Sequence, residues 1–186
     1  SQFSGNYNSS KRNLGLNLSL PKTLELVKNI ICEWQPDVIS ESFTPRVMKS
    51  WGLDYLSVKN MIPDVIYFST CLMGQYGPHN NYAGFGNLAG AMAGFYEITG
   101  WPDRGPAGPY GAYSDFVNPP IAFGSIVAAL DYRERHGIGQ HIDLSQYEGA
   151  MHFLAPHIMK YNEDGSILGR KGNEDDRMYP HGIFPC

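Results

Sequence analysis

The segment that most constrains the fold of this chain runs from Val65 to Cys71 and reads VIYFSTC. β-branched and aromatic residues dominate this segment, and its apolar residues do not alternate with polar ones. Such a run is typical of a strand buried on both faces, as in parallel sheets covered by helices. A loop over residues 72–81, with two glycines and a proline, follows it. Open α/β sheets place ligands in loops at this end of their strands.

Helical and extended patterns alternate on both sides of this segment. Upstream, we expect a strand over Asn13–Leu20, a helix from Pro21 that ends at Gln35-Pro36, and a strand over Asp37–Glu41. Downstream, we expect a helix of small residues over Gly86–Ile98, a helix over Pro119–His136 capped by Asn118, a strand over Gln140–Leu144, and a helix capped by Ser145 and interrupted at Pro156. This alternation predicts an α/β protein with a parallel sheet and flanking helices.

Composition excludes several classes of protein. The chain has 186 residues, of which 42% are hydrophobic and 17% charged, and this predicts a globular protein. Its net charge of −4 disfavours a nucleic-acid binder. No apolar run approaches the roughly 18 residues that span a bilayer, and no signal peptide is recognisable. We therefore expect a cytoplasmic protein that uses neither a membrane nor a nucleic acid as partner. The start at Ser1, without a Met, leads us to expect a piece of a longer polypeptide.

Few residues suggest chemistry by themselves. The three cysteines lie far apart, and the six histidines are not at metal-ligand spacing, so we expect no metal site. Asp115 lies in a Gly/Pro-rich stretch before the long helix, where an Asp is more often a cap or a solvated turn residue than a nucleophile. The loop Gly74–Gly77 fits either an ordinary surface turn or a cradle for phosphate or pantetheine.

Several motifs, taken together in this order, resemble the family III CoA-transferases, a family that includes formyl-CoA transferase and carnitine CoA-transferase. They are Lys11-Arg12 followed by Leu14, Leu16 and Leu18; Asp37-Val38 with Glu41, Phe43 and Pro45, then Gly52-Leu53; the strand and loop from Tyr67 to Pro78; Asp115 ahead of Ala128-Ala129-Leu130; Arg135 to Asp143; Gly172-Asn173; and Pro180 to Cys186. The resemblance extends along nearly the whole chain.

The resemblance implies a fold and an assembly. The fold is a Rossmann-like parallel sheet with flanking helices, as in the large domain of these enzymes. Residues 1–161 would form part of this CoA-binding and catalytic domain, and residues 162–186 a connector towards the small domain. Family members form interlocked homodimers, and the small-residue helices expected here suit such close packing.

The resemblance also implies an activity. These enzymes transfer CoA from an acyl-CoA to a carboxylic acid through a covalent aspartyl intermediate, and Asp115 takes the place of the nucleophile. CoA and acyl-CoA are substrates, so no permanently bound cofactor is implied. The positions that match CoA contacts of the family are Leu16, Ser42, Phe43, Val47 and Trp51.

Departures from the family pattern leave alternatives. Ser19 and Ser42 stand where the family has Lys and Asn, and Phe85-Gly86 stands where relatives have Tyr followed by Glu or Asp. The related acyl-CoA racemases pair their Asp with a His at the position of Phe85, so the sequence favours the transferase over the racemase or isomerase. A CoA-binding or dimer-forming module without catalysis is a further alternative.

Overall fold

The computed structural model describes residues 2–186, with side chains from Gly5 onward. Two compact units divide the chain, one up to Gln35 and the other from Pro36 to Cys186. The first unit contains helices α1 (Gln2–Tyr7) and α2 (Pro21–Trp34). Helix α2 begins with its proline and ends at Gln35, which has a left-handed backbone with φ 46°. Both ends of this helix therefore confirm the prediction.

The strand predicted over Asn13–Leu20 is wrong. Residues 11–17 have no regular secondary structure, and residues 18–20 form a turn. Asn17 closes this turn, because its side-chain Oδ1 accepts hydrogen bonds from the backbone N–H and the hydroxyl of Ser19. Leu14 and Leu20 are more than half exposed, so the alternation of leucines does not mark a buried face. A strand needs a neighbour for its backbone hydrogen bonds, and the structure assigns none to this stretch.

The second unit is built on a parallel sheet of three strands in the order β1-β2-β3, namely Val38–Glu41, Ile66–Cys71 and His141–Ser145. Ser69 of the central strand pairs with Glu41 on one side and with Asp143 on the other. Val65, Ile66, Tyr67 and Phe68 are all buried. This central strand confirms the α/β prediction, because only a strand covered on both faces uses such a run of apolar residues.

Helices follow each strand. They are α3 (Val47–Trp51), α4 (Tyr55–Lys59), α5 (Gly86–Met92), α6 (Phe95–Ile98), α7 (Tyr113–Val117), α8 (Pro119–His136), α9 (Gln146–His152) and α10 (Ala155–Asp164). Helix α8 packs on β2 and β3, and Arg133 near its end forms a 2.6 Å ion pair with Asp37 before β1. Helices α5, α7 and α9 pack on one another. Residues 165–186 form turns and loops.

One predicted helix differs from the structure, and a second agrees with its prediction. The segment Gly86–Ile98 forms two helices instead of one, because Gly94 has a φ of 105° that ends the helical hydrogen bonding. The interruption predicted near Pro156 is confirmed, since α9 ends at His152 and α10 places this proline in its first turn. The capping serine before α9 is also confirmed, with Ser145 Oγ accepting from Glu148 N at 3.3 Å.

Candidate active site

Asp115 lies in the first turn of α7, not in a loop as the sequence suggested. Its backbone N–H donates to Ala112 O at 2.9 Å, which closes the turn that begins the helix. The side chain is exposed on this chain. The residue is therefore no N-cap of the long helix α8; of the two roles that its position in the sequence alone favoured, a cap or a solvated turn residue, its exposure in a turn agrees with the second.

The carboxylate lines a cavity of about 390 Å³. All three strands lead into this cavity at their carboxyl ends, which is where open α/β sheets bind ligands. Ser42 follows β1, Leu72 follows β2 and Gln146 follows β3. The lining consists of Ser42, Thr44, Pro45, Thr70, Cys71, Leu72, Tyr82, Ala83, Gly84, Phe85, Asp115 and Gln146.

Gly86 makes room for the Asp115 side chain. A Cβ atom added at residue 86 would lie 2.9 Å from both Cγ and Oδ1 of Asp115, and 2.9 Å from Ala112 O. Such contacts are shorter than those of real Cβ atoms, so a Cβ at residue 86 of this chain would require the Asp115 carboxylate and the Ala112 carbonyl to shift. The departure from the family pattern at Phe85-Gly86 thus has a packing consequence. Phe85 is 81% exposed and lines the cavity beside Asp115.

A buried polar network connects the helix of Asp115 to α9. Asn118 donates through Nδ2 to Ser114 O at 2.8 Å and to Gln146 O at 3.1 Å. Ser114 Oγ donates to Gln146 Oε1 at 2.9 Å. No sequence pattern pointed to this network. Asn118 was expected to cap α8, but its side chain makes no cap hydrogen bond there. Only its position just before two prolines marked it as a helix boundary.

The predicted CoA-contacting residues are only partly brought together. Ser42 lines the Asp115 cavity, whereas Phe43, Val47 and Trp51 lie outside its lining. The rings of Phe43 and Trp51 instead meet edge to face, with centroids 5.2 Å apart, and Phe43 remains 44% exposed. Val47, which lies between Phe43 and Trp51 in the sequence, is the first residue of α3. Leu16 belongs to the first compact unit, in a stretch without regular secondary structure, and is half-buried there.

The Gly74–Gly77 loop is attached to the sheet at its first residues. Gln75 N donates to Asp143 Oδ2 at 2.8 Å, and Gly74 adopts a φ of 80° against the same carboxylate. The Asp143 carboxylate therefore already accepts a hydrogen bond from one of the backbone N–H groups that a phosphate cradle would need.

Burial controls the ionisation of Cys71, the thiol in the cavity wall. Burial, and to a lesser extent the negative charge of Asp143, raises the pKa of Cys71 to about 11. The residue is therefore a neutral thiol at pH 7 and a poor nucleophile there.

A polar face of the sheet lies next to this site. Glu41, Ser69 and His141 line a second cavity of about 500 Å³, which shares Thr44 and Pro45 with the first. His141 Nε2 lies 3.0 Å from Ser69 Oγ, and its ring stacks on that of Tyr55 with centroids 4.8 Å apart. Burial lowers the pKa of His141, so the ring is neutral at pH 7.

The part of the chain that the structure describes offers neither a metal site nor a membrane-spanning helix. No group of three or more His, Cys, Asp or Glu side chains is arranged to hold a metal ion in residues 2–186. Among the helices of the same residues, none is both long and apolar enough to cross a bilayer.

Comparison with known proteins decides the family. The model of the group described as CoA-transferase family III matches residues 1–186. The chain belongs to CoA-transferase family III. The resemblance inferred from the ordered motifs is confirmed.

Named relatives of this family III chain are CoA-transferases. The succinyl-CoA–D-citramalate CoA-transferase of Chloroflexus aurantiacus is 32% identical over 95% of this chain and 43% of that protein. The acetyl-CoA:oxalate CoA-transferase of Acetobacter aceti is 36% identical over 80% of this chain and 38% of that protein. The chain thus spans less than half the length of these relatives.

A solved structure supports the fold of this family III chain. The crystal structure of a CAIB/BAIF family protein from Brucella suis superposes with a TM-score of 0.85 at 32% identity. The match covers 93% of this chain and 45% of that one. This chain therefore shares its parallel α/β architecture with flanking helices with the matched part of that protein.

Proposed function

We propose that the protein containing this chain transfers CoA from an acyl-CoA thioester to a carboxylic acid, with Asp115 as the covalent nucleophile. The observation that carries the proposal is the position of Asp115 in a cavity at the carboxyl ends of all three strands. Membership of a family whose named members transfer CoA supports the reaction type. The acyl donor and acceptor would enter the same cavity in turn.

In the proposed reaction, one anionic nucleophile replaces another at each step. An oxygen of Asp115 attacks the thioester carbonyl, the C–S bond breaks, and CoA thiolate leaves behind a mixed anhydride. The thiolate then attacks the Asp115 carbonyl carbon, which releases the donor acid as a carboxylate and leaves an aspartyl-CoA thioester. The acceptor carboxylate reverses these steps, and Asp115 is regenerated as a carboxylate.

This sequence of steps requires no net proton transfer. Each attacking group is already an anion, and each leaving group departs as one. The described residues that line the cavity include no histidine, and Phe85 stands where the racemases have theirs. The cavity thus suits nucleophilic exchange better than the two-base proton transfer of a racemase.

CoA contacts remain a proposal on the positions that match the family. Ser42 is the candidate best supported, because it shares the cavity with Asp115. The exposed face of Phe43, next to Trp51, offers an aromatic surface outside the cavity for the adenine or the pantetheine arm. Val47 and Leu16 remain predictions, as do the domain division at residue 161, the homodimer and the cytoplasmic location.

Trapping the intermediate tests the proposal. The protein containing this chain is incubated with a panel of short dicarboxylic acyl-CoAs, treated with hydroxylamine, and digested for mass spectrometry. We expect a hydroxamate at Asp115 and at no other carboxylate. Transfer in the absence of any Asp115 adduct would refute the covalent role.

Two variants and one exchange experiment complete the test. Asp115→Ala and Asp115→Asn should both abolish transfer, while binding of CoA measured by calorimetry stays unchanged. A non-catalytic module would bind CoA but leave every acyl-CoA intact. A racemase would instead incorporate deuterium from the solvent at the α-carbon of a 2-methylacyl-CoA without transferring CoA.

A further inference from the structure

We propose that Gln146 is a catalytic residue whose Nε2 donates a hydrogen bond to the acyl carbonyl oxygen while Asp115 attacks. The inference rests on the proposed CoA transfer and adds to it the group that stabilises the oxyanion. Gln146 and Asp115 line the same cavity, one at the start of α9 and the other in α7. No family motif in the sequence drew attention to this glutamine.

The side-chain amide of Gln146 is held in one orientation. Ser114 is fully buried, and its hydroxyl donates to Gln146 Oε1 at 2.9 Å. The Nε2 group makes no hydrogen bond to any residue that the structure describes, although it has two N–H donors.

The backbone of Gln146 is fixed relative to the helix of Asp115. The Asn118 amide donates to the carbonyl groups of both Ser114 and Gln146, so a single side chain connects α7 to α9. Asn118 is 4% exposed, and its Oδ1 is buried without a hydrogen bond against Gly149. Because Ser114 and Asn118 are buried, this network holds the helix of the nucleophile and the proposed donor in a constant relative position.

The chemistry requires such a donor. When an oxygen of Asp115 forms a bond to the thioester carbon, the carbonyl π electrons move to the oxygen, which becomes negative. The electrons return when the C–S bond breaks and CoA leaves as thiolate. A donor that already lines the cavity stabilises that negative oxygen without reorganising, and removal of one such donor typically lowers kcat by about 100-fold or more.

The experiment compares Gln146→Met with Gln146→Glu in the protein containing this chain. Methionine keeps the length and flexibility of the side chain and removes the donor, so kcat should fall about 100-fold while KM for acyl-CoA stays within about threefold. Glutamate keeps the shape but replaces the donor by a second carboxylate beside Asp115, and kcat should fall further. Formation of the Asp115 adduct in a single turnover should slow by the same factor as kcat.

Two further variants control for structure. Glu148→Met places the same new side chain on an exposed position of α9 outside the cavity, and kcat should not change. Ser114→Ala keeps the donor but frees the amide to rotate, so its loss should be smaller than that of Gln146→Met. All variants are compared by thermal unfolding.

The results distinguish a failure of the role of Gln146 from a failure of the proposed function. A Gln146→Met protein with unchanged kcat, or with a raised KM alone, would refute the role of this residue while leaving CoA transfer intact. A wild-type protein that forms no Asp115 adduct and transfers no CoA would refute the proposed function, and this inference with it.

Discussion

The carboxyl group of Asp115 packs directly against the backbone of Gly86, with 2.9 Å between its Oδ1 and the place that a Cβ atom of residue 86 would occupy. The first residue of α5 thus defines the position of the candidate nucleophile on α7. This relationship is local in space but joins residues that are far apart in the sequence, and it leads to the first prediction.

Gly86→Ala should lower CoA transfer by about 100-fold, because a displacement of a reacting group by about 1 Å has effects of that size. Gly90→Ala is the matched control, since it lies in the same helix and its added Cβ would meet only Tyr113 Cβ, at 3.9 Å. The control should keep its activity. Steady-state kinetics measures both, and equal activities would contradict the packing argument.

Gly149→Ala should lower the free energy of unfolding by about 1–3 kcal/mol, the usual cost of overpacking a core. The new methyl group would overlap Asn118 Oδ1, which is buried and cannot move into solvent. Gly124→Ala in α8 is the control, because no atom lies within 4 Å of its added Cβ. Urea denaturation should show that this control is at least as stable as the wild type, and a Gly149→Ala protein equally stable would contradict the prediction.

Cys71 should react slowly with iodoacetamide at neutral pH, at a rate that keeps rising through pH 10. Burial raises its pKa to about 11, so at pH 7 only about one molecule in ten thousand carries the reactive thiolate. Labelling is measured in a Cys32→Ser, Cys186→Ser background, since both of those thiols are exposed. Circular dichroism at each pH monitors the fold. A rate that levels off below pH 9 would contradict the raised pKa.

His141 should make the protein less stable as the pH falls from 7 to 5. Burial lowers the pKa of His141 in the folded state, so the fold favours the neutral ring. The stabilisation is complete above the ordinary pKa of about 6.5 and is lost as the pH falls through the folded-state pKa. Urea denaturation of His141→Phe should show a weaker dependence on pH than the wild type. His157→Gln, at an exposed histidine, should leave the dependence unchanged.

Arg46→Gly should raise the free energy of unfolding by up to about 1 kcal/mol. Arg46 has a φ of 82° just before α3, in a left-handed conformation that costs a non-glycine residue about 1–2 kcal/mol. Part of this gain is offset by the greater freedom of glycine in the unfolded chain. Arg46→Ala removes the guanidinium group but keeps the strain, so it should show no gain. A glycine variant that is no more stable than the alanine variant would refute the backbone strain at Arg46.

The fold was predicted where local pattern and burial agree. The apolar run Val65–Cys71 and the helix Pro119–His136 appear in the structure almost as the sequence indicated. The leucine alternation over Asn13–Leu20 misled the prediction, because a period of two implies a strand only when a neighbouring strand pairs with it. The glycine at position 94 divided a helix that its small residues had suggested was continuous.

The candidate site combines residues that the sequence singled out with residues that it did not. Asp115 was identified through the order of the motifs around it, and the structure places it in a cavity together with Ser42. Gln146 carried no recognisable pattern, and Asn118 was recognised only as a helix boundary, since the hydrogen bonds that connect α7 to α9 join residues 28 and 32 positions apart in the chain. Sequence spacing says nothing about such partners.

The sequence by itself determined the class of fold and the family, because apolar periodicity and ordered motifs are properties of the linear chain. The tertiary structure alone decided what surrounds Asp115: the glycine that gives it room, the buried amides that hold its helix, and the free Nε2 group of Gln146. The physical reason is that hydrogen bonds and close packing depend on distances of a few ångströms between elements. Those distances exist only once the strands and helices have been brought together.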